Sequence, residues 1–308
     1  MSRRPVVTVL MSVHNDLRYL PQAVDGILRQ SFDGFEFLIL DDGSTDGSAD
    51  YLRRLTDPRV RLVRNETNLG LTRSLNGGLD LAGGEFIARM DADDVVMPER
   101  LARQVAFLQA HPDTGIVGSS RVLIDEAGDI IAQAPAAETD ARIRWKCLLG
   151  NPFAHPAVMI RRDVLKRHAL RYDESYRTAQ DYELWTRLLA VTKGYNLPEP
   201  LLQYRLRAGI SRTSKPEQLR NHDRIAHAAI RRLVPAYRTS WDDVTQLRGR
   251  YGGFSVREPG MEPSDPTWVG RYLELLDAFV RSVGGPDADA IAEAVRRSVA
   301  ETELKNSN

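Results

Sequence analysis

One cysteine, Cys147, in 308 residues leaves no second thiol to close a disulfide, a CxxC redox centre or a thiolate zinc site. Net charge is missing too: 42 Lys+Arg balance 42 Asp+Glu, so the total gives no reason to expect a nucleic-acid partner. No apolar run approaches the roughly 18–20 residues that a membrane-spanning helix requires. The first residues, Arg3 and Arg4 followed by Pro5 and a short β-rich run, do not follow the pattern of a secretory signal. These absences lead to the expectation of a reduced, cytoplasmic setting. What is present is an ordinary globular composition, 42% hydrophobic and 27% charged, with enough chain for one large domain or two modest ones.

The balanced total hides an uneven distribution. Residues 31–50 carry six acidic side chains and no basic one, whereas residues 141–232 carry 19 Lys/Arg against 8 Asp/Glu. An acidic site beside a basic stretch suits a divalent cation and the phosphates it bridges; solvated helix faces are the plainer account.

The first half alternates two periodicities. Val6–Val13, Phe35–Leu40, Arg59–Val63 and Glu85–Met90 read as strands. Leu17–Gln30, Ala49–Leu55, Leu71–Leu81 and the stretch from Pro98 to Ala110 read as helices, with Gly77 and Gly78 weakening the third. Such alternation predicts an α/β, doubly wound, mostly parallel sheet with helices on both faces, and such sheets bind ligands beyond the carboxyl ends of their strands. Two acidic clusters fall at that edge, Asp41-Asp42-Gly43-Ser44-Thr45-Asp46 and Asp91-Ala92-Asp93-Asp94. Later, Ile116–Ile124 and Ile130–Gln133 pair around a turn, Ala141–Leu149 and Asp181–Ala190 read as helices, and Ala157–Ile160 as a short strand. Beyond Pro216 the chain reads as helical at 217–233, 240–250, 266–283 and 287–303, with a Gly- and Pro-rich loop over Gly252–Pro266.

Each cluster has two readings. A DxD at a strand end can present two carboxylates to Mg²⁺ or Mn²⁺, or can be an exposed acidic turn before a helix. Asp42 can accept a hydrogen bond from a nucleobase, or the whole segment can be turn chemistry. Asp181, ahead of Tyr182-Glu183-Leu184-Trp185, can be a base or a helix cap; Trp185 and Leu188 read as core. His155 can be a satisfied polar residue, and Arg205 and Arg207 can grip phosphate or line a solvated strand edge.

Taken in order, these segments resemble family 2 glycosyltransferases of the GT-A fold over about residues 5–213. The matching pieces are Ser12-Val13-His14-Asn15, the Asp41–Asp46 run, Asn68-Leu69-Gly70, Gly84–Met90 leading into the DxDD, Pro98-Glu99-Arg100-Leu101 with Gln104, His155-Pro156-Ala157-Val158-Met159, Gln180-Asp181, and Tyr204-Arg205 with Ser211. The resemblance implies a catalytic domain over 1–213 and a helical C-terminal region over 214–308 that serves acceptor selection, packing or oligomerisation. It implies an inverting transfer from a nucleotide-diphosphate sugar, a UDP-sugar first among candidates, in polysaccharide or glycoconjugate synthesis. Val13, Asn15, Asp42, Asn68 and Asp91 would contact the nucleotide, Asp93 would hold Mn²⁺ or Mg²⁺, and Asp181 would be the general base. Asp94, His155, Tyr204, Arg205, Arg207 and Ser211 would contact donor, acceptor or diphosphate. Two departures stand out: Arg207 occupies the place of a His in many relatives, where it could neutralise diphosphate itself, and Gln180 replaces a common Glu. A glycan, lipid-linked, small-molecule or protein acceptor, a homo-oligomer, and peripheral contact of 215–233 with an anionic membrane all stay open. A nucleotidyltransferase lacks its Gly-rich phosphate loop here, and a non-catalytic sugar-nucleotide scaffold is the other alternative.

Overall fold

The computed structural model describes residues 4–207, 215–252 and 265–306. Its first half alternates as expected: β1 (Val7–Val13), α1 (Leu20–Leu28), β2 (Phe35–Asp42), α2 (Ser48–Arg53), β3 (Val60–Asn65), α3 (Leu71–Leu81) and β4 (Phe86–Met90). Then come β5 (Val95–Val96), α4 (Arg100–Ala110), β6 (Thr114–Ile124), β7 (Ile130–Ala134), α5 (Asp140–Leu149), β8 (Met159–Arg161), α6 (Arg162–Arg167), α7 (Gln180–Leu188) and β9 (Lys193–Arg205). The chain continues with helices α8 (Lys215–Leu233), α9 (Trp241–Tyr251), α10 (Pro266–Val283) and α11 (Pro286–Asn306).

One sheet runs in the order β3-β2-β1-β4-β8-β6-β9-β5, with β7 paired to β6. The β3-β2-β1-β4 block is parallel, as is β6 with β9; β8 joins the two blocks antiparallel to both β4 and β6. Strands buried on both faces explain the near-continuous apolar runs. In β1, Val7, Val9, Met11 and Val13 pack with α1 and α4, whereas Leu10 points to the opposite core with α3 and α5. The expected architecture is therefore observed. Residues of α8–α11, such as Ile230, Leu247 and Phe279, share the second core with α5 and α7.

Gly78 explains why α3 tolerates glycine. A Cβ there would lie 2.3 Å from Leu10 Cδ1, so the helix sits directly on the sheet. The long strand β9 was not among the sequence expectations, because Pro198 and Pro200 interrupt its pattern. The register shifts between Ser119 and Arg121 show how the sheet absorbs them: Ser119 faces Leu197 and Ser120 faces Pro200, so Pro198 and Glu199 bulge out of the pairing.

The three-residue β8 is reinforced by side chains. Arg100, fully buried, donates from Nη2 to the carbonyls of Arg89 (2.8 Å) and Val158 (3.1 Å) and from Nε to Gln104 (3.1 Å). Gln104 in turn donates to the carbonyls of Ala157 (2.7 Å) and Val117 (3.3 Å).

Along α8, Ile225, Ile230 and Leu233 are buried, so the apolar stripe that suggested a lipid-facing helix packs inside the protein. Among the described residues no helix is long and apolar enough to cross a membrane.

Candidate active site

The carboxyl ends of β1 and β2 carry two loops that lock together. Asn15 adopts a left-handed backbone (φ 56°); its Oδ1 accepts from the Thr45 amide (2.8 Å), and its own amide donates to Ser44 Oγ (3.1 Å). His14 Nδ1 donates to the Asp42 carbonyl at 2.8 Å. Gly43 has φ 69°, and a Cβ there would stand 2.7 Å from the backbone of Thr67 and Asn68. Only glycine permits this approach. Asp42 then binds the 65–70 loop: its carboxylate accepts from Asn65 Nδ2 (2.8 Å) and the amides of Leu69 and Gly70 (both 2.9 Å). Burial opposes its charge, but the bonds from Leu69, Asn65, Ser74 and Gly70 prevail and hold its carboxyl below the usual range. Asn68 Oδ1 accepts from the Gly70 amide (2.8 Å), and Val13 is buried at the strand end. Four of the five expected nucleotide contacts thus gather in one frame, although much of Asp42's accepting capacity is committed to the frame itself.

The acidic turn follows β4. Asp91, the fifth expected nucleotide contact, pairs with the buried Arg89. Asp93 Oδ2 lies 3.2 Å from Arg207 Nη1, which also binds Asp16 Oδ1 at 2.6 Å. Asp93 is pushed up to about 6 by burial and by the charges of Asp91 and Asp16, with Arg207 working the other way. Asp94 is buried and accepts from the Arg205 amide at 2.8 Å. Burial, then Asp91 and Asp93, raise its carboxyl well above the usual range.

Arg205, expected at the diphosphate, is 4% exposed and is a structural staple. Its guanidinium donates to the carbonyls of Asp93 (2.8 Å) and Asp125 (2.9 Å) and to Gln22 Oε1 (3.0 Å), and stacks over Tyr19. Arg207 is the better exposed of the two and stands beside the acidic turn. Ser211 lies outside the described residues.

Asp181 occupies the second position of α7. The residue at the cap is Ala179, left-handed (φ 61°) and without a side-chain cap bond, so Asp181, two positions further on, is not the cap residue weighed from the sequence. Asp181 Oδ2 accepts from Asn151 Nδ2 at 2.7 Å. Burial raises its carboxyl despite bonds from the Tyr182 amide and Asn151, and the charge of Asp91 adds to the rise. Trp185 and Leu188 are core, as their spacing predicts. His155 shares a 2.8 Å hydrogen bond with the Tyr172 hydroxyl and meets Trp185 edge-on. Burial, with Arg89 nearby, keeps its imidazole neutral. Tyr204 ties the halves together: burial raises its phenol, and the charges of Asp91, Asp94, Asp93 and Asp181 all raise it further. Residues ninety apart in sequence therefore share one electrostatic environment at the sheet's carboxyl edge.

Among the described residues no three His, Cys, Asp or Glu side chains form a ready-made metal cage. A nucleotide-bound Mg²⁺ or Mn²⁺ asks for less, one or two carboxylates with phosphates completing the shell. Asp93, raised first by burial and then by the charges of Asp91 and Asp16, stands with Asp91 in one turn as oxygen donors of the kind such an ion takes, so the donor set fits. Three residues escaped the sequence reading. Asp16 follows Ser12–Asn15 directly and could have been found by extending that strand-end motif one residue. Asn151 and Tyr172 carried no signal, because nothing local in sequence places them beside Asp181 or His155.

Comparison with known proteins bears on the family and the fold. Residues 8–169 match the model of "Glycosyl transferase family 2". The chain is 36% identical over 211 residues to EpsE of Bacillus subtilis (strain 168), whose name marks it as an inferred glycosyltransferase; the match covers 67% of this chain and 74% of that one. It is 29% identical over 214 residues to the amylovoran biosynthesis glycosyltransferase AmsE of Erwinia amylovora, covering 68% and 78%. Among solved structures, TarS 1-349 of S. aureus in complex with UDP-GlcNAc superposes with a TM-score of 0.64 at 17% identity, over 96% of this chain and 89% of that one. The mannosyltransferase PcManGT from Pyrobaculum calidifontis, in complex with GDP-Man and Mn²⁺, gives 0.56 at 18% identity, over 100% and 89%. These structural likenesses establish the GT-A fold. With the family model spanning more than half its length, this chain belongs to glycosyl transferase family 2 and is a glycosyltransferase.

Proposed function

We propose that the enzyme moves a glycosyl group from a UDP-sugar to an acceptor hydroxyl with inversion, in the assembly of a polysaccharide or glycoconjugate. The observation that carries this reading is a buried carboxylate at the start of α7, Asp181, held by Asn151 at 2.7 Å in a chain that matches glycosyl transferase family 2. A hydroxyl is a poor nucleophile, and a carboxylate in reach takes its proton as it attacks. A single base opposite the leaving group suits direct displacement. The interlocked Asp42–Gly43 and 65–70 loops hold the nucleoside, with Val13, Asn15 and Asn68 shaping the cleft. Asp93 would hold Mn²⁺ or Mg²⁺, which when bound supplies positive charge to the departing diphosphate. Arg207 stands beside it as a second, protein-borne cation, and Tyr204 and His155 back the sugar side. The UDP preference rests on the TarS complex and the polysaccharide role on relatives such as AmsE.

A thermal-shift and transfer panel of UDP-, GDP- and dTDP-sugars, with and without Mn²⁺, tests this reading. A UDP-sugar is expected to stabilise the protein by mass action and to be turned over by the wild type but not by Asp181→Asn. Turnover by Asp181→Asn at the wild-type rate would remove Asp181 from the chemistry.

A further inference from the structure

The base does not stand alone. We infer that Asn151 is a positioning residue for Asp181: it immobilises the carboxylate through Oδ2 and so selects Oδ1 as the oxygen that takes the acceptor's proton. The inference rests on the reading of Asp181 as general base.

The geometry leaves little freedom. Asn151 Nδ2 donates to Asp181 Oδ2 at 2.7 Å, while Asn151 Oδ1 accepts from the Phe153 amide at 3.2 Å. A flipped amide would set its carbonyl against a carboxylate and its NH₂ against an N–H, so one orientation alone satisfies both partners. The segment bearing Asn151 is clamped to α7 at further points. Phe153 is buried and meets Trp185 edge-on with centroids 6.0 Å apart, and His155 meets the same indole at 6.0 Å. Asp181 and Trp185 lie four residues apart, on one face of the helix. Asn151, Phe153 and His155 therefore grip that face as a unit, Phe153 and His155 against the indole and Asn151 against the carboxylate. Ala179, two residues before the base, keeps a left-handed backbone rare for a residue with a side chain, as expected where surroundings over-determine the local shape.

In the transfer, the acceptor oxygen forms its bond to the anomeric carbon while the bond to the diphosphate oxygen breaks. The electron pair leaves with the nucleoside diphosphate, and the hydroxyl proton passes to Asp181 Oδ1. A bond to the ionised carboxylate also favours the form able to accept that proton, against burial. The titratable groups facing Asp181 are Asp91 from the turn after β4, Tyr172 from the loop before α7 and Tyr204 from β9.

The test follows the Asp181 carboxyl directly, by ¹³C NMR titration of the full chain labelled at aspartate carboxyls, with the signal assigned through Asp181→Asn. Losing a charge-assisted bond moves such a midpoint by roughly one to two pH units. Asn151→Ala is expected to raise it by that amount, and the isosteric Asn151→Asp, which sets a second carboxylate against the first, by more. In UDP release from UDP-GlcNAc, or from the panel donor the wild type turns over, kcat should fall with KM little changed, and the acid limb should move in step with the midpoint. An unmoved midpoint in both variants would overturn the inference. The role of Asp181 is judged separately, since Asp181→Asn retaining turnover would end the base reading whatever the midpoint does. If Asn151→Ala unfolds, Asn151→Asp keeps the shape and decides the matter.

Discussion

Gly43→Ala isolates the contact between the turn after β2 and the 65–70 loop. Both Gly43 (φ 69°) and Gly47 (φ 98°) have positive φ, so alanine at either costs about 1–2 kcal/mol from the backbone alone. At Gly47 the new Cβ meets only the tip of Leu17, at 3.1 Å, a half-exposed side chain able to turn aside. At Gly43 it meets backbone, 2.7 Å from both Thr67 C and Asn68 N. The 65–70 loop must retreat, which stretches the bonds from Leu69 and Gly70 to Asp42, now 2.9 Å each. Losing one bond to a charged acceptor costs about 1.5–3 kcal/mol. Gly43→Ala should therefore lose about 2.5–5 kcal/mol, against about 1–2 for Gly47→Ala. Urea unfolding reads both, with the m-value unchanged if only the folded state is affected. UDP binding should weaken in Gly43→Ala and hold in Gly47→Ala. Equal losses in the two variants would refute the argument that backbone contact, rather than φ, demands glycine at 43.

Two further expectations concern the core. Gly78→Ala drives a methyl into Leu10, 2.3 Å away, and should cost about 1–3 kcal/mol of overpacking despite alanine's better helix propensity; Leu10→Val should recover part of the lost melting temperature, and a double mutant no more stable than Gly78→Ala would count against the contact. His222, buried against Tyr182, is pulled down to about 4 by burial and by Arg248. Because its folded value lies below the unfolded one, its contribution is complete above pH 6.5 and is lost as pH falls from there through 4, up to about 3–4 kcal/mol. His222→Phe should flatten that part of the stability–pH curve, and an unchanged slope would show that other groups set it.

The sheet's first four strands were legible because β1, β2 and β4 are nearly continuous apolar runs and all four are punctuated by turn residues. Strand β9 was not, since two prolines break its pattern and only its bulged pairing with β6 accommodates them. At the site, the sequence could place Asp42, Asp91 and Asp93 at the ends of β2 and β4 but could not tell a carboxylate that holds a loop from one that holds a ligand. Asp42 and Arg205 show why: accepting backbone amides and accepting a base require the same oxygens, and donating to carbonyls and to phosphates require the same guanidinium. Partnerships such as Asn151 with Asp181 arise only when the loop after α5 is laid across α7, which no local pattern announces.

The guanidinium of Arg100 fastens β4 to the residue before β8 by bridging two carbonyls. A lysine there would keep the charge yet could not reproduce the planar fork that also engages Gln104. The acidic turn is consequently not a portable cassette. Grafting Asp91–Asp94 onto another scaffold without α4 beneath it would transfer the carboxylates and leave behind the mortar that keeps them in register.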